Sequence, residues 1–497
     1  MDGIDTPREA SFATGTRLFV GILAVAHAVA FGSIWVQSAG LIGPSGILPA
    51  GRFFAAAHEH LGSRAWFEAP SLCWVFGAGR FIDVLCGLGI GLALLLLWGF
   101  APAVCLALLW ACYLSLVSAG QAFFDFQWDL LLLESTLVAI FLVPWTLGRT
   151  RRPHDPPRLA RYLIWWLLFR LMFLSGVVKL TSGDIAWRHL TALTFHYQTQ
   201  PLPTPLAWYA QQFPEWFQKA SCAAMFAIEL TAPLCIPGPR TLRHIAALTL
   251  VAFQVAIALT GNYAFFNLLA AGLCLTCLDD GWWRQVLRSA PGRAAEPGQA
   301  RATAGRPNPT VLRYFAAFSV GVTFFEAAAS VSRGAAASPI VRAVAQTLGP
   351  FRSFNTYGLF PVMTVERPEL VIEGTDDRLD WREYGLPCKP GDLARRPSWV
   401  APHQPRLDWQ LWFAALEPPE ANPWVETLCE LILRGDPAVL GLFSRNPFPG
   451  RPPSYVRVVR YRYEFTDAAE RARTGNWWRR TPIDFYIDPV ALPPDPR

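Results

Sequence analysis

Charge is what this sequence has least of. Asp, Glu, Lys and Arg make up 16% of its 497 residues, against 53% hydrophobic residues. An ordinary soluble domain carries about 25% charge, so the deficit excludes that class and points to a chain that crosses a membrane repeatedly. Lysine is scarcest: Lys179, Lys219 and Lys389 stand against forty arginines. With abundant Ala and Pro, that bias suggests a GC-rich, bacterial genome. The net charge of +6 comes without a basic stripe interleaved with aromatics, which argues against nucleic acid as a partner. No Walker loop and no dinucleotide fingerprint is present. The N-terminal "MDGIDTPREASFATGTR" has no small-residue cleavage site after its apolar run, so residues 1–17 read as a cytoplasmic leader into a retained first span.

A spanning helix needs about 20 mainly apolar residues. About nine segments qualify on that length rule: 18–36, 78–98, 101–119, 127–146, 161–180, 218–236, 244–260, 262–279 and 310–329. Arginine gathers in "GRTRRPHDPPRLAR" (148–161), "PGPRTLRH" (237–244) and the stretch 284–306. Excess arginine near span ends marks the cytoplasmic side. With Arg8 and Arg17 inside and nine crossings, all three basic loops fall inside. Residues 37–77, 120–126, "TGNY" (260–263), 181–217 and the chain beyond 330 then face outward. The expected plan is a helical membrane domain over 18–330 with an outward loop at 181–217, and an exported domain over 331–497.

That last region changes character. "ELVIEGTDDRLDWREY" (369–384) holds two strand-like runs around a turn signal. "YVRVVRYRYEF" (455–465) alternates, with Tyr455, Val459, Tyr461, Tyr463 and Phe465 on one face. "NPWVETLCELILRG" (422–435) reads as a helix with Asn422 as N-cap and Gly435 as stop. A β-rich, sandwich-like domain with helical insertions is expected. Cys388 and Cys429 in it could form a disulfide if it is exported. "CLTC" (274–277) ends an apolar run without a thioredoxin-like context, and packing is its expected role.

Charges inside spans are costly and mark polar contacts within a bundle. Arg80, Asp83, Asp125, Asp129, Glu134 and Lys179 all fall in the outer half on this topology. They fit either an outward-opening polar cavity or a structural clamp between spans. Arg170 and Glu229 lie deeper and are expected to pair. Arg80 and Asp83, at i and i+3, suggest a local pair. Lys179 fits a snorkelling interface residue, an ion pair with Glu134 or Asp129, or a base. His189 and His196 come without the carboxylate of a metal site, and the residues of "HEH" at 58–60, two apart on a helix, point in different directions. In the tail, His403, Arg406 and Asp408 read as hydrogen-bonded scaffold.

The block after Lys179, "GDIAWRHLTALTFHYQTQPLPTPLAWY" (183–209), resembles the signature of the lipase maturation factor family. "FQWDLLLLES" (126–135), "FNTYGLFPVMTVERPELVIEGTDD" (354–377), "RRPSWVAPHQPRLDWQLWFAAL" (395–416) and "NPFPGRPPSYVRVVRYRYEFT" (446–466) are similar to further blocks of that family. The resemblance implies a multi-pass maturation factor, without cofactor, that helps secreted clients such as lipases fold or assemble. It implies the endoplasmic reticulum membrane with a lumenal tail, or a bacterial inner membrane with a periplasmic one. It marks Asp184, Trp187, Arg188, His196, Tyr197, Gln200, Pro201, Pro203, Trp208 and Tyr209 as client-binding or structural signature residues. No G-x-S-x-G elbow is present, so the chain is not itself a lipase of the common fold. A shorter stretch, "FLSGVVKLTSGDIAW" (173–187), resembles vitamin K-dependent γ-glutamyl carboxylase around its catalytic lysine. That alternative would make Lys179 a base acting with a vitamin K-like quinone.

Overall fold

The structure is a computed structural model that describes residues 10–124, 126–150, 154–288, 305–331 and 339–493, without the side chains of Arg288, Ile340 and Val341. Arg8, Asp125 and most of the basic stretch 284–306 lie outside the described residues. The N-terminal part is built of α1 (Ala13–Trp35), α2 (Phe81–Trp98), α3 (Pro102–Gly120), α4 (Gln127–Ala139), α5 (Arg158–Thr181), α6 (Glu215–Thr231), α7 (Arg240–Thr260), α8 (Phe266–Leu275) and α9 (Pro309–Val331). Six of these, α1, α2, α3, α5, α7 and α9, are long and apolar enough to cross a membrane. The sequence suggested nine. The other three apolar runs form shorter helices of 13, 17 and 10 residues. Local breaks explain the difference. Pro144 and Pro233 bring no N–H to a helical ladder, and α6 passes into a 3-10 turn at Pro233. Before α8, Ala264 takes a left-handed φ of 49° that a continuous helix excludes.

The bundle has two distinct ends. At one, Ser11 Oγ and Phe12 N donate to Asp155, Thr14 N donates to Asp280, Thr150 N donates to Gly99 O, and Arg240 pairs with Asp279. At the other, Ser33 and Gln37 donate to Gln404 O, Arg406 donates to Phe123 O, and Asn262 bonds Ser398 O and the N–H of Val400. The C-terminal region thus sits on the second end. Small residues allow the helices to close up. A Cβ on Gly15 would lie 2.4 Å from Leu275 O, and one on Gly176 would lie 2.9 Å from Leu230 Cδ2.

The C-terminal region carries one four-stranded antiparallel sheet, in the order β2-β1-β3-β4, of β1 (Arg367–Thr375), β2 (Arg382–Glu383), β3 (Tyr455–Phe465) and β4 (Trp478–Val490). This corrects the sandwich expectation: helix α10 (Arg406–Ala415) packs on β1 and α11 (Trp424–Leu433) on β3 in place of a second sheet. Strand β3 has the bounds its alternation predicts. Register shifts between Val456 and Val459 break the simple two-face pattern, so Val456 and Val458 are buried as well as Val459, Tyr463 and Phe465. Helix α11 stops at Gly435, which adopts the left-handed φ of 67°. Asn422 does not cap it. Its side chain instead donates to Glu417 and accepts from Trp424 Nε1. Cys388 and Cys429 are free thiols, as are the buried Cys274 and Cys277. One apolar core runs without interruption from the bundle into α10 and α11.

Candidate functional site

The block 183–209 folds into three short helices, Ile185–Arg188, Ala192–Thr199 and Pro205–Gln211. Asp184 caps the first by accepting from the N–H groups of Ala186 (2.7 Å) and Trp187 (3.3 Å). Its other oxygen accepts from Met363 N at 2.9 Å, and Trp187 Nε1 donates to Phe360 O at 3.0 Å. At the proline-stiffened turn, Arg367 of β1 donates to the carbonyls of Gln198, Gln200 and Pro201. Trp412 Nε1 of α10 reaches Thr199 O at 3.0 Å. Gln200 donates to Thr260 O at 2.8 Å and accepts from Tyr263 OH at 2.8 Å, and that hydroxyl lies 3.2 Å from His196 Nε2. Burial pushes the His196 pKa down to about 4, and the Lys179 charge acts in the same sense.

Most of the signature is therefore an internal seam between bundle and sheet. Trp187, Gln200, Pro201, Pro203 and Trp208 are buried, and Tyr197 packs against the sheet cluster. Trp208 lies edge-on to Trp477 with the Arg471 guanidinium 4.8 Å from its ring. Arg188 and Tyr209 are exposed. Beyond the block, Phe213, Trp216 and Phe217 extend that exposed face, with Trp216 at 70%.

The intramembrane charges close on one another, with partners different from those expected. Arg170 pairs with Glu134, not Glu229. Glu134 also accepts from Asn355 N (3.2 Å), Asn355 Nδ2 (3.1 Å) and Tyr357 OH (2.8 Å), and Arg170 donates to Asn355 O at 2.6 Å. Lys179 pairs with Glu229 on α6, donating to both oxygens at 2.7 and 2.8 Å, rather than with Glu134 or Asp129. Asp129 is held by Arg406 of α10 at 2.9 and 3.0 Å and accepts from Tyr113 OH. Arg80 and Asp83 are exposed and, among the described residues, make no ion pair with each other; pairing in water returns little free energy. Helix rotation and the arrival of the tail set these partners, and neither can be read from spacing along one helix.

Sequence reasoning gave Arg406 and Asp408 a scaffold role but no partners. It missed Arg367, Asn355, Tyr357 and Lys389, although all but Lys389 lie in the signature-like blocks quoted above. Lys389 pairs with the buried Glu369, which also holds Arg367, both at 2.6 Å. Asp408 accepts from Cys388 N and Lys389 N at 2.7 Å each, and its burial pushes its pKa up to about 6. His403 Nδ1 lies 2.9 Å from Ser33 Oγ. Among the described residues, no three His, Cys, Asp or Glu side chains are grouped so as to hold a metal. His189 is exposed, whereas His196 faces Tyr263.

Comparison with known proteins follows the same bundle-and-tail division. Residues 14–285 match the family model described as the Lipase maturation factor transmembrane domain, and residues 353–488 match the Lipase maturation factor C-terminal domain. The chain belongs to the lipase maturation factor family. It is 34% identical over 496 residues to Lipase maturation factor 1 of Bos taurus, covering 94% of this chain and 87% of that one. It is 35% identical over 498 residues to Lipase maturation factor 1 of Homo sapiens (95% and 86%) and 34% identical over 582 residues to Lipase maturation factor 2 of Gallus gallus (96% and 81%). No solved structure matches it. The carboxylase alternative finds no support in these relatives, and Lys179 is engaged with Glu229. In this lipase maturation factor family member the signature joins the membrane part to the sheet.

Proposed function

We propose that this chain is a multi-pass membrane factor that holds secreted client proteins, lipases among them, while they fold or assemble. The observation that carries the reading is the exposed apolar rim of Tyr209, Phe213, Trp216 and Phe217, which continues directly from the buried seam. The seam fixes the rim against the sheet, so a client meets a rigid surface and less entropy is lost on contact. Aromatic anchors of this kind dominate binding at protein surfaces. The buried signature residues then support the rim, and client contact passes to their exposed neighbours, Arg188 and Tyr209 included.

The proposal places rim and sheet on the exported side, the lumen of the endoplasmic reticulum or the periplasm. Nine passes would do this, with α4, α6 and α8 crossing as short helices completed by turns. The contacts at the two bundle ends support it: α4 starts beside Arg406 and its chain reaches Trp145, whose N–H meets Gly305 O next to α9. The test is site-specific photocrosslinking from positions 209, 216 and 483 in the full-length protein co-expressed with a secreted lipase. Adducts with the lipase are expected, and adducts with lipid alone would refute client holding. A tag at Gly475 that reacts from the cytoplasmic side would overturn the orientation.

A further inference from the structure

The end of the bundle remote from the tail holds a feature that client handling does not use. A cleft of about 170 Å³ there is lined by Thr16 and Arg17 of α1, Trp98, Thr150 and His154. A groove of about 570 Å³ shares Arg17, Gly21 and Leu97 with it. The floor of the groove is Thr14, Arg17, Leu18, Gly21, Ile22 and Val25. Those positions fall at i, i+3, i+4, i+7, i+8 and i+11, which is one continuous stripe of a helix. The groove walls are Leu97, at the end of α2, and Leu268 of α8. Gly21 keeps the floor low, because a Cβ there would meet nothing within 4 Å.

The two parts differ in chemistry. The groove is apolar from Leu18 to Val25. The cleft carries the exposed Arg17, which has no ion-pair partner among the described residues, and His154, whose Nε2 is buried without a hydrogen-bond partner among them. Arg149 stacks over Trp98 at 4.8 Å and adds a second cation beside the cleft. At the same end of the bundle Asp155 and Asp280 are already engaged by the N–H groups of Phe12 and Thr14, and no carboxylate is among the residues lining the cleft. From Arg17 to Val25 the stripe rises about 12 Å at 1.5 Å per residue, close to the depth of one leaflet of a hydrocarbon core about 30 Å thick. Basic pockets between spans on the cytoplasmic side are known to take anionic headgroups.

We propose that this cleft and groove form a binding site for one anionic phospholipid, with its phosphate against Arg17 and His154 and an acyl chain along the α1 stripe. The site stands apart from the client surface and does not depend on that reading. The test uses the full-length protein in neutral detergent, read by its thermal midpoint with phosphatidylglycerol, phosphatidylcholine or inorganic phosphate added. Phosphatidylglycerol should raise the midpoint by mass action, while the other two leave it in place. Arg17→Gln and Gly21→Leu should each weaken the response at least tenfold in lipid concentration. Arg17→Gln should keep the lipid-free midpoint, because the side chain it replaces has no ion-pair partner to lose among the described residues. Equal shifts with both lipids, a full shift in Arg17→Gln, or a shift with inorganic phosphate alone would each overturn the assignment.

Discussion

Replacing Arg406 by Met tests whether the tail is held by charge buried in the bundle. Arg406 makes two bonds to Asp129, at 2.9 and 3.0 Å, and one to Phe123 O at 2.6 Å, with its guanidinium 3.5 Å from the Phe124 ring. Both members of the ion pair are essentially fully buried. Methionine fills much of the volume but removes the cation that balances the buried Asp129 carboxylate, while the bond from Tyr113 OH stays. Stranding one member of a buried ion pair costs about 3–5 kcal/mol. At 1.4 kcal/mol per tenfold, that is roughly a hundredfold to a few thousandfold in the equilibrium that frees the tail. Limited proteolysis in neutral detergent reads this equilibrium when reclosing outpaces cleavage. Chymotryptic cleavage at Trp409 and Trp412 of α10, buried while the tail is docked, is the signal. The double variant Asp129→Leu with Arg406→Met removes the stranded charge and should recover at least half of the loss, since apolar replacement of a whole pair is often neutral. A single variant as resistant as the parent, or a double variant no better than the single, would refute the claim that this pair closes the seam.

Two further outcomes follow from the same geometry. Lys179→Met strands Glu229 and should destabilise the fold by about 3–5 kcal/mol, while Lys179→Met with Glu229→Leu should be milder; an equal loss in both would show that the pair is not what Lys179 supplies. Acidification should act through His196, whose pKa lies near 4 in the fold against an ordinary 6.5. Between those values the unfolded chain binds the extra proton, so stability is complete above pH 6.5 and falls as the pH drops towards 4. The partial exposure of the residue makes about 3 kcal/mol an upper bound. Asp408, pushed up to about 6, works in the opposite direction between about 4 and 6. The difference between parent and His196→Gln melting curves from pH 7.5 to 5 isolates the histidine, and parallel curves would exclude it.

The clamp gives the signature a physical meaning. Asp184, Trp187, Gln200 and Pro201 are bonded to groups from 360–367, and the buried Pro203 forms a bridge with Gly261. A substitution at any of them is expected to act through the joint between bundle and sheet rather than by removing a client contact. Tyr209 and Trp216, exposed at 50% and 70%, are the positions where the proposed client binding would be lost without stability.

Some of this was legible along the chain. The hydrophobic length of α1, α2, α3, α5, α7 and α9 marks them as spanning helices, because a bilayer demands length and composition and both are local properties. The bounds of β3 follow from period two, and the end of α11 from a glycine free to turn left-handed. Only the tertiary structure decided who meets whom. Asp129 finds Arg406 and Glu134 finds Asn355 across more than 200 residues, and Lys179 chooses Glu229 on a helix whose rotation no single stretch encodes. A second sheet proved unnecessary because α10 and α11 cover the first. Charge pairing inside a low-dielectric interior is set by the three-dimensional route of the chain, and that route is decided by the packing of all the helices together.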